Sequence, residues 1–209
     1  GGELLDRIIE LQHFSEDAAA IVMRQILSGI NYCHQRNVIH RDLKPQNIMF
    51  DTKGKTGIPK IIDFGISTRN DNKKKELNTA IGTPLFMAPE VMMKKYNEKC
   101  DMWSCGLILY LMLSGELPFK GKNKDDIIVN ILKAEYNFDG PQWAQISQQA
   151  KNFIRKLLTL DPARRYSAEE ALRDPWITTK HGKAVDSAIC ETALGNLRVY
   201  RARKQLQEA

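Results

Sequence analysis

The sequence predicts a mainly helical α+β fold whose few strands are short and hairpin-like. Two observations point there. Long stretches place apolar residues at helical spacing, whereas the extended apolar runs, Val38–Ile39, Ile48–Phe50 and Ile61–Ile62, span only two or three residues. A chain of 209 residues can bury one sizeable core, so one domain is the default.

The elements follow in order. Ser15-Glu16-Asp17 has the form of a helix start, with a hydroxyl cap followed by acids in the first turn. Ala18–His34 then carries Ile21, Val22, Ile26, Leu27, Ile30 and Cys33 at helical spacing and predicts a buried helix. Val38–Ile39 and Ile48–Phe50 read as short buried strands bracketing a charged turn. Asp51–Pro59, rich in Gly, Lys and Pro, predicts a hairpin loop. Its Gly54-Lys55-Thr56 superficially resembles a phosphate-binding loop, but the upstream glycine is missing and no helix follows, which leaves a solvated turn. Asn70–Asn78 is polar and charged and is expected to be mobile. Asn97-Glu98 opens a helix through Ser114 whose dense apolar face marks a central scaffold, with Gly115 and Pro118 as stop signals. Further helices are expected near Asn123–Lys133, Ser147–Leu158 and Ser167–Leu172, the last opened by a capping box of Ser167 and Glu170.

Composition narrows the function classes. Hydrophobic content of 43% and charged content of 27% are ordinary for a globular protein. The net charge of +6 is scattered apart from Lys73-Lys74-Lys75 and Arg198–Lys204, with no basic stripe among aromatics, so no nucleic-acid partner is expected. Cys33, Cys100, Cys105 and Cys190 form no Cys-x-x-Cys pair, and no His stands at metal-ligand spacing from them. Cysteines in helical apolar patterns fit small core residues in a reducing cytosol, and a cytoplasmic location is expected. The apolar helix around Met102–Leu113 is too short to span a bilayer.

The chemistry concentrates between the first two strands. Asp42, Lys44 and Asn47 lie on one loop pinned by Pro45. A carboxylate can accept a proton from a hydroxyl, an ammonium can neutralise phosphate oxygens, and an amide oxygen can ligate a hard cation. Within six positions, these groups suit phosphoryl transfer. His40-Arg41-Asp42 followed by Asn47 resembles the catalytic loop of protein kinases at each defined position. Asp63-Phe64-Gly65, Ala88-Pro89-Glu90 and Asp101-x-Trp103 follow in kinase order and spacing.

The resemblance implies roles. Asp42 is the catalytic base, Lys44 contacts the transferred phosphate, and Thr83 supplies a hydroxyl to Asp42. Asn47 and Asp63 are the Mg²⁺ ligands, with ATP as the phosphoryl donor. Glu3 recognises either a basic side chain upstream of the acceptor or the ATP ribose, and Gln46 departs from the Glu common at its position. Phe64 is expected to pack in the core with a switching role, and Gly65 to permit the backbone turn after the metal ligand. Glu90 with Arg165, and Asp101 with the catalytic-loop backbone, are structural pairings. Thr79 is either a phosphorylation site paired with Arg41 or an unmodified loop threonine. Lys44 and Thr83 favour Ser/Thr over Tyr acceptors.

No Gly-x-Gly-x-x-Gly loop and no Val-Ala-x-Lys strand is present. The expectation is a kinase C-terminal lobe over residues 1–177 with the N-terminal β lobe absent, inactive as an isolated piece, followed by a linker and basic amphipathic helix over 178–209. Tyr96–Gly106, Leu117-Pro118-Phe119, Asp139–Trp143 and Ser167–Leu172 resemble calcium/calmodulin-dependent and calcium-dependent protein kinases. Leu194, Leu197, Tyr200 and Leu206, interleaved with Arg198, Arg201, Arg203 and Lys204, resemble their junction helix, which implies an EF-hand or calmodulin-like regulator at 194–209. The function implied is a Ser/Thr protein kinase acting on protein substrates. The alternative is a non-catalytic kinase-lobe interaction module.

Overall fold

The structure, a computed structural model, describes residues 1–10, 14–53, 57–71 and 76–179. Eight helices and four short strands are assigned among them, so the mainly helical reading holds. The basic helix expected at 194–209, the Gly54-Lys55-Thr56 turn and Lys73-Lys74-Lys75 lie outside the described residues.

The centre is α4, Lys99–Ser114, in which every residue from Cys100 onward is buried. A helix apolar on all sides belongs inside a core rather than at its rim. Gly115 ends it in the left-handed region at φ 73°, its N–H returning to the Leu111 carbonyl. Helix α2 (Glu16–Gln35) and helix α6 (Gln148–Leu157) pack on α4. The α4–α6 approach is close at Gly106, where an added Cβ would sit 2.8 Å from Leu158 Cδ2 and 3.0 Å from Leu157 Cβ.

Caps set the helix starts. Ser15 Oγ accepts the Ala18 N–H, Asn123 caps α5 (Lys124–Lys133), and Ser147 caps α6. Ser167 and Glu170 form the expected reciprocal capping box on α7 (Ala168–Arg173). Helix α8 (Pro175–Thr178) is capped by Asp174 and closes the described chain. Glu16 ties three of these elements together: its buried carboxylate accepts the Ser147 N–H and hydroxyl and, at 3.0 Å, the Trp176 indole N–H.

The strands form two antiparallel pairs. β1 (Val38–Ile39) pairs with β4 (Thr68–Arg69), and β2 (Ile48–Phe50) with β3 (Pro59–Ile61). The expected hairpin over Asp51–Pro59 is the β2–β3 connection, whereas β4, without an apolar pattern, was not anticipated. Helix α1 (Leu4–Glu10) and the single turn α3 (Pro89–Met92) were not anticipated either. Both are too short to show periodicity, and such helices depend on packing. Leu4, Leu5 and Ile8 of α1 are buried, and the Arg7 guanidinium lies 3.8 Å over the Phe50 ring.

Two expected core positions are corrected. Ile21 is 50% exposed, because the buried stripe of α2 runs through Ala19, Ala20, Val22, Met23, Ile26, Leu27 and Ile30 and leaves Ile21 on the outer side. Phe64 is 42% exposed; it sets its ring edge-on against His40 at 4.8 Å but remains uncovered on its other face.

Candidate active site

The loop after β1 is shaped by a residue far away in sequence. Asp101, on the first turn of α4, accepts the N–H of His40 through Oδ2 and of Arg41 through Oδ1, each at 2.9 Å. This holds Arg41 at φ 71°, a left-handed conformation that a long side chain seldom adopts unless its surroundings impose it. His34 Nε2, 2.8 Å from Asp101 Oδ2, orients the carboxylate from α2. A His40 ring protonated on Nε2 and bare on Nδ1 serves two partners: it donates to the Ile62 carbonyl at 3.0 Å and accepts the Asp42 N–H at 3.3 Å.

Past the turn, Leu43 is fully buried and Pro45 opens a tight 3-10 turn, Pro45–Asn47. That geometry gathers Asp42, Lys44 and Asn47. Asp42 Oδ2 accepts from Lys44 Nζ at 2.6 Å and from Asn47 Nδ2 at 3.2 Å. Asp42 Oδ1 accepts the Thr83 N–H at 2.8 Å and the Thr83 hydroxyl at 2.7 Å. Lys44 Nζ also reaches Thr83 Oγ1 at 3.0 Å. Partial burial pushes the Asp42 carboxyl up, but hydrogen bonds from Lys44 and Thr83 together with the ammonium charge outweigh it and hold the group below the ordinary aspartate value of 3.8. At neutral pH Asp42 is therefore a carboxylate and an acceptor.

Thr83 reaches Asp42 because the preceding residue has no side chain. Gly82 sits at φ 122°, and a Cβ there would lie 2.6 Å from the Arg41 carbonyl oxygen.

Asn47 donates from Nδ2 to the Asp42 backbone oxygen at 2.8 Å as well as to its carboxylate. With the amide nitrogen committed, Oδ1 is the atom Asn47 has to offer. The Asn47 carbonyl accepts the Ile62 N–H at 2.9 Å, which extends the β2–β3 pairing up to the residue before Asp63. Asp63 is exposed, at φ 59°, and its Oδ1 accepts the Gly65 N–H at 3.2 Å, an Asx turn that suits a short acid in the left-handed region. Among the described residues no group of three or more His, Cys, Asp and Glu side chains gathers to hold a metal unaided. The pair Asn47 and Asp63 instead offers hard oxygen donors of the kind that holds Mg²⁺ together with water and phosphate oxygens. The residues present fit that ion.

Glu3, before α1, forms an isolated antiparallel bridge with Met49 on β2, two residues beyond Asn47. The Glu90–Arg165 pair is bidentate at 2.5 and 2.9 Å with both side chains buried, and it ties α3 to the loop before α7. Sequence reasoning missed His34 and Tyr96. His34 gave a signal only in being a polar residue near the end of a buried helix, and Tyr96 only as the first residue of the Tyr96–Gly106 stretch, with no role attached.

A sequence profile of the protein kinase domain matches residues 1–177. The chain belongs to the protein kinase domain family. The chain is 46% identical over 213 aligned positions to calcium-dependent protein kinase 4 of Plasmodium falciparum, covering all of this chain and 40% of that protein. It is 40% identical to calcium-dependent protein kinase 3 of Plasmodium berghei over 209 positions, all of this chain and 38% of that protein. With calcium-dependent protein kinase 33 of Arabidopsis thaliana it is also 40% identical, over 208 positions, all of this chain and 40% of that protein. The chain thus spans about two fifths of the length of the curated relatives it matches. Among the described residues no helix is long and apolar enough to cross a membrane.

Proposed function

We propose that this chain is the C-terminal lobe and regulatory junction of a calcium-dependent Ser/Thr protein kinase that transfers the γ-phosphoryl group of ATP to Ser or Thr hydroxyls of protein substrates. The observation that carries this reading is the Asp42 carboxylate, kept ionised and aimed by Lys44, Asn47 and Thr83. Asp42 orients the acceptor hydroxyl and takes its proton as the oxygen bonds to phosphorus and ADP departs. Lys44 balances charge on the phosphoryl oxygens, and Thr83 keeps the carboxylate in one rotamer. Asn47 and Asp63 hold Mg²⁺, which when bound neutralises the nucleotide's phosphate charge. Glu3 is read as a contact to the ATP ribose or to a basic substrate side chain, and Thr79 as either a phosphorylation site whose phosphate pairs with Arg41 or an unmodified loop threonine. The names of the relatives favour calcium control, and the basic amphipathic pattern of residues 194–209 suits an EF-hand or calmodulin-like regulator acting there. Residues 1–177 form the lobe and 178–209 the junction, and the protein works in the cytosol.

The test uses the full-length protein with ATP, Mg²⁺ and a Ser/Thr peptide, with and without calcium, beside an Asp42→Ala control. Calcium-stimulated transfer that the control lacks supports the reading. Transfer that survives Asp42→Ala overturns the role given to Asp42, and a silent wild type overturns the enzyme reading in favour of a non-catalytic interaction module.

A further inference from the structure

Tyr96 lies just ahead of α4 and carries none of the roles assigned above, yet it is 2% exposed and spans two functional segments. Its backbone pairs with Leu77 in both directions, Leu77 N–H to Tyr96 O at 2.8 Å and Tyr96 N–H to Leu77 O at 3.2 Å. Its phenol accepts from Arg41 Nη1 at 3.3 Å and donates to the Thr79 carbonyl at 2.9 Å. The rest of the Arg41 guanidinium is engaged with the Ile66 carbonyl at 2.7 Å and the Ser67 carbonyl at 3.4 Å.

We infer that Tyr96 is a positioning residue whose phenol latches the segment Leu77–Thr83 onto the Arg41–Asp42 loop. Besides the Leu77–Tyr96 backbone pair at its start, two side-chain attachments hold that segment. At its far end Gly82 lies against the Arg41 carbonyl and Thr83 binds Asp42. At its near end the phenol joins Thr79 to the Arg41 side chain. A hydroxyl that accepts from a cation becomes a stronger donor, so the guanidinium reinforces the bond to Thr79. Burial raises the phenol above its ordinary value of 10.0, and Arg41 partly offsets the shift, so the hydroxyl keeps its proton at neutral pH. Once the latch is lost, the stretch between the Leu77 backbone pair and Gly82 is unheld, and the surface beside Asp42 loosens.

The consequence for acceptor binding rests on the kinase reading; the latch itself does not. In the full-length protein, Tyr96→Phe keeps the buried ring and deletes only the hydroxyl. Amide exchange over Leu77–Thr83 should rise roughly five- to twentyfold while α4 keeps its protection. The KM for a Ser/Thr peptide should rise by a similar factor, with the KM for ATP unchanged. Unchanged exchange at Leu77–Thr83 overturns the proposal, as does a rise spread equally through α4, or a variant that fails to fold. If wild-type protein transfers no phosphate, the exchange result still decides the latch and only the enzyme reading falls.

Discussion

The Asp101 carboxylate receives the backbone N–H of Arg41 at 2.9 Å across 60 residues of chain. The same side chain holds the His40 N–H and is held by His34, so one buried acid joins α2, α4 and the candidate catalytic loop. Asp101→Asn replaces one acceptor oxygen with an N–H₂ facing a donor. The variant should lose about 2–4 kcal/mol of stability, seen as a lower urea midpoint at unchanged m, and phosphoryl transfer should fall with it.

Acid should expose the same group. Complete burial pushes the Asp101 carboxyl up, but the hydrogen bond and charge of His34 and the N–H groups of His40 and Arg41 outweigh it and set it below the ordinary value of 3.8. A carboxyl lowered by folding stabilises the protein above its unfolded value, and that contribution drains away as pH falls through the lower folded value. Stability measured by denaturant titration should therefore drop below pH 3.8 in the wild type, with a shallower slope in Asp101→Asn.

Thr83 is tested by shape against chemistry. Thr83→Val keeps the volume but removes the hydroxyl that reaches Asp42 at 2.7 Å, whereas Thr83→Ser keeps it. Steady-state kinetics with a peptide acceptor should show kcat about ten- to a hundredfold lower for Val and near wild type for Ser.

The Glu90–Arg165 pair is fully enclosed, with side chains 5% and 0% exposed. Removing either partner leaves a buried charge uncompensated, so Glu90→Gln and Arg165→Met should each destabilise by about 3–5 kcal/mol in thermal unfolding. Arg165→Met should cost more, because Arg165 also binds the carbonyls of Thr159 and Lys99 at 2.9 Å each. A double-mutant cycle should show the two losses to be far from additive.

Much of the fold was legible because its signals are local. Ser15, Ser147 and Ser167 each sit where a short polar side chain reaches an N–H three residues on, and all three open helices. Gly115 marks the end of α4 because only a residue without a Cβ enters the left-handed region cheaply there. The misreadings share a cause as well. Ile21 is apolar and correctly spaced but faces outward, and β4 is two polar residues paired only because β1 lies beside it.

The sequence by itself determined which chemical groups are present, their order along the chain, and most helix boundaries. These depend on residue types and on hydrogen bonds spanning three or four positions, which spacing reports directly. Only the tertiary structure decided that His34 steadies Asp101 from 67 residues away and that Tyr96 joins Arg41 to Thr79. Such contacts are made by helices and turns packing around α4, and no pattern within a window of sequence records which side chains that packing will bring face to face.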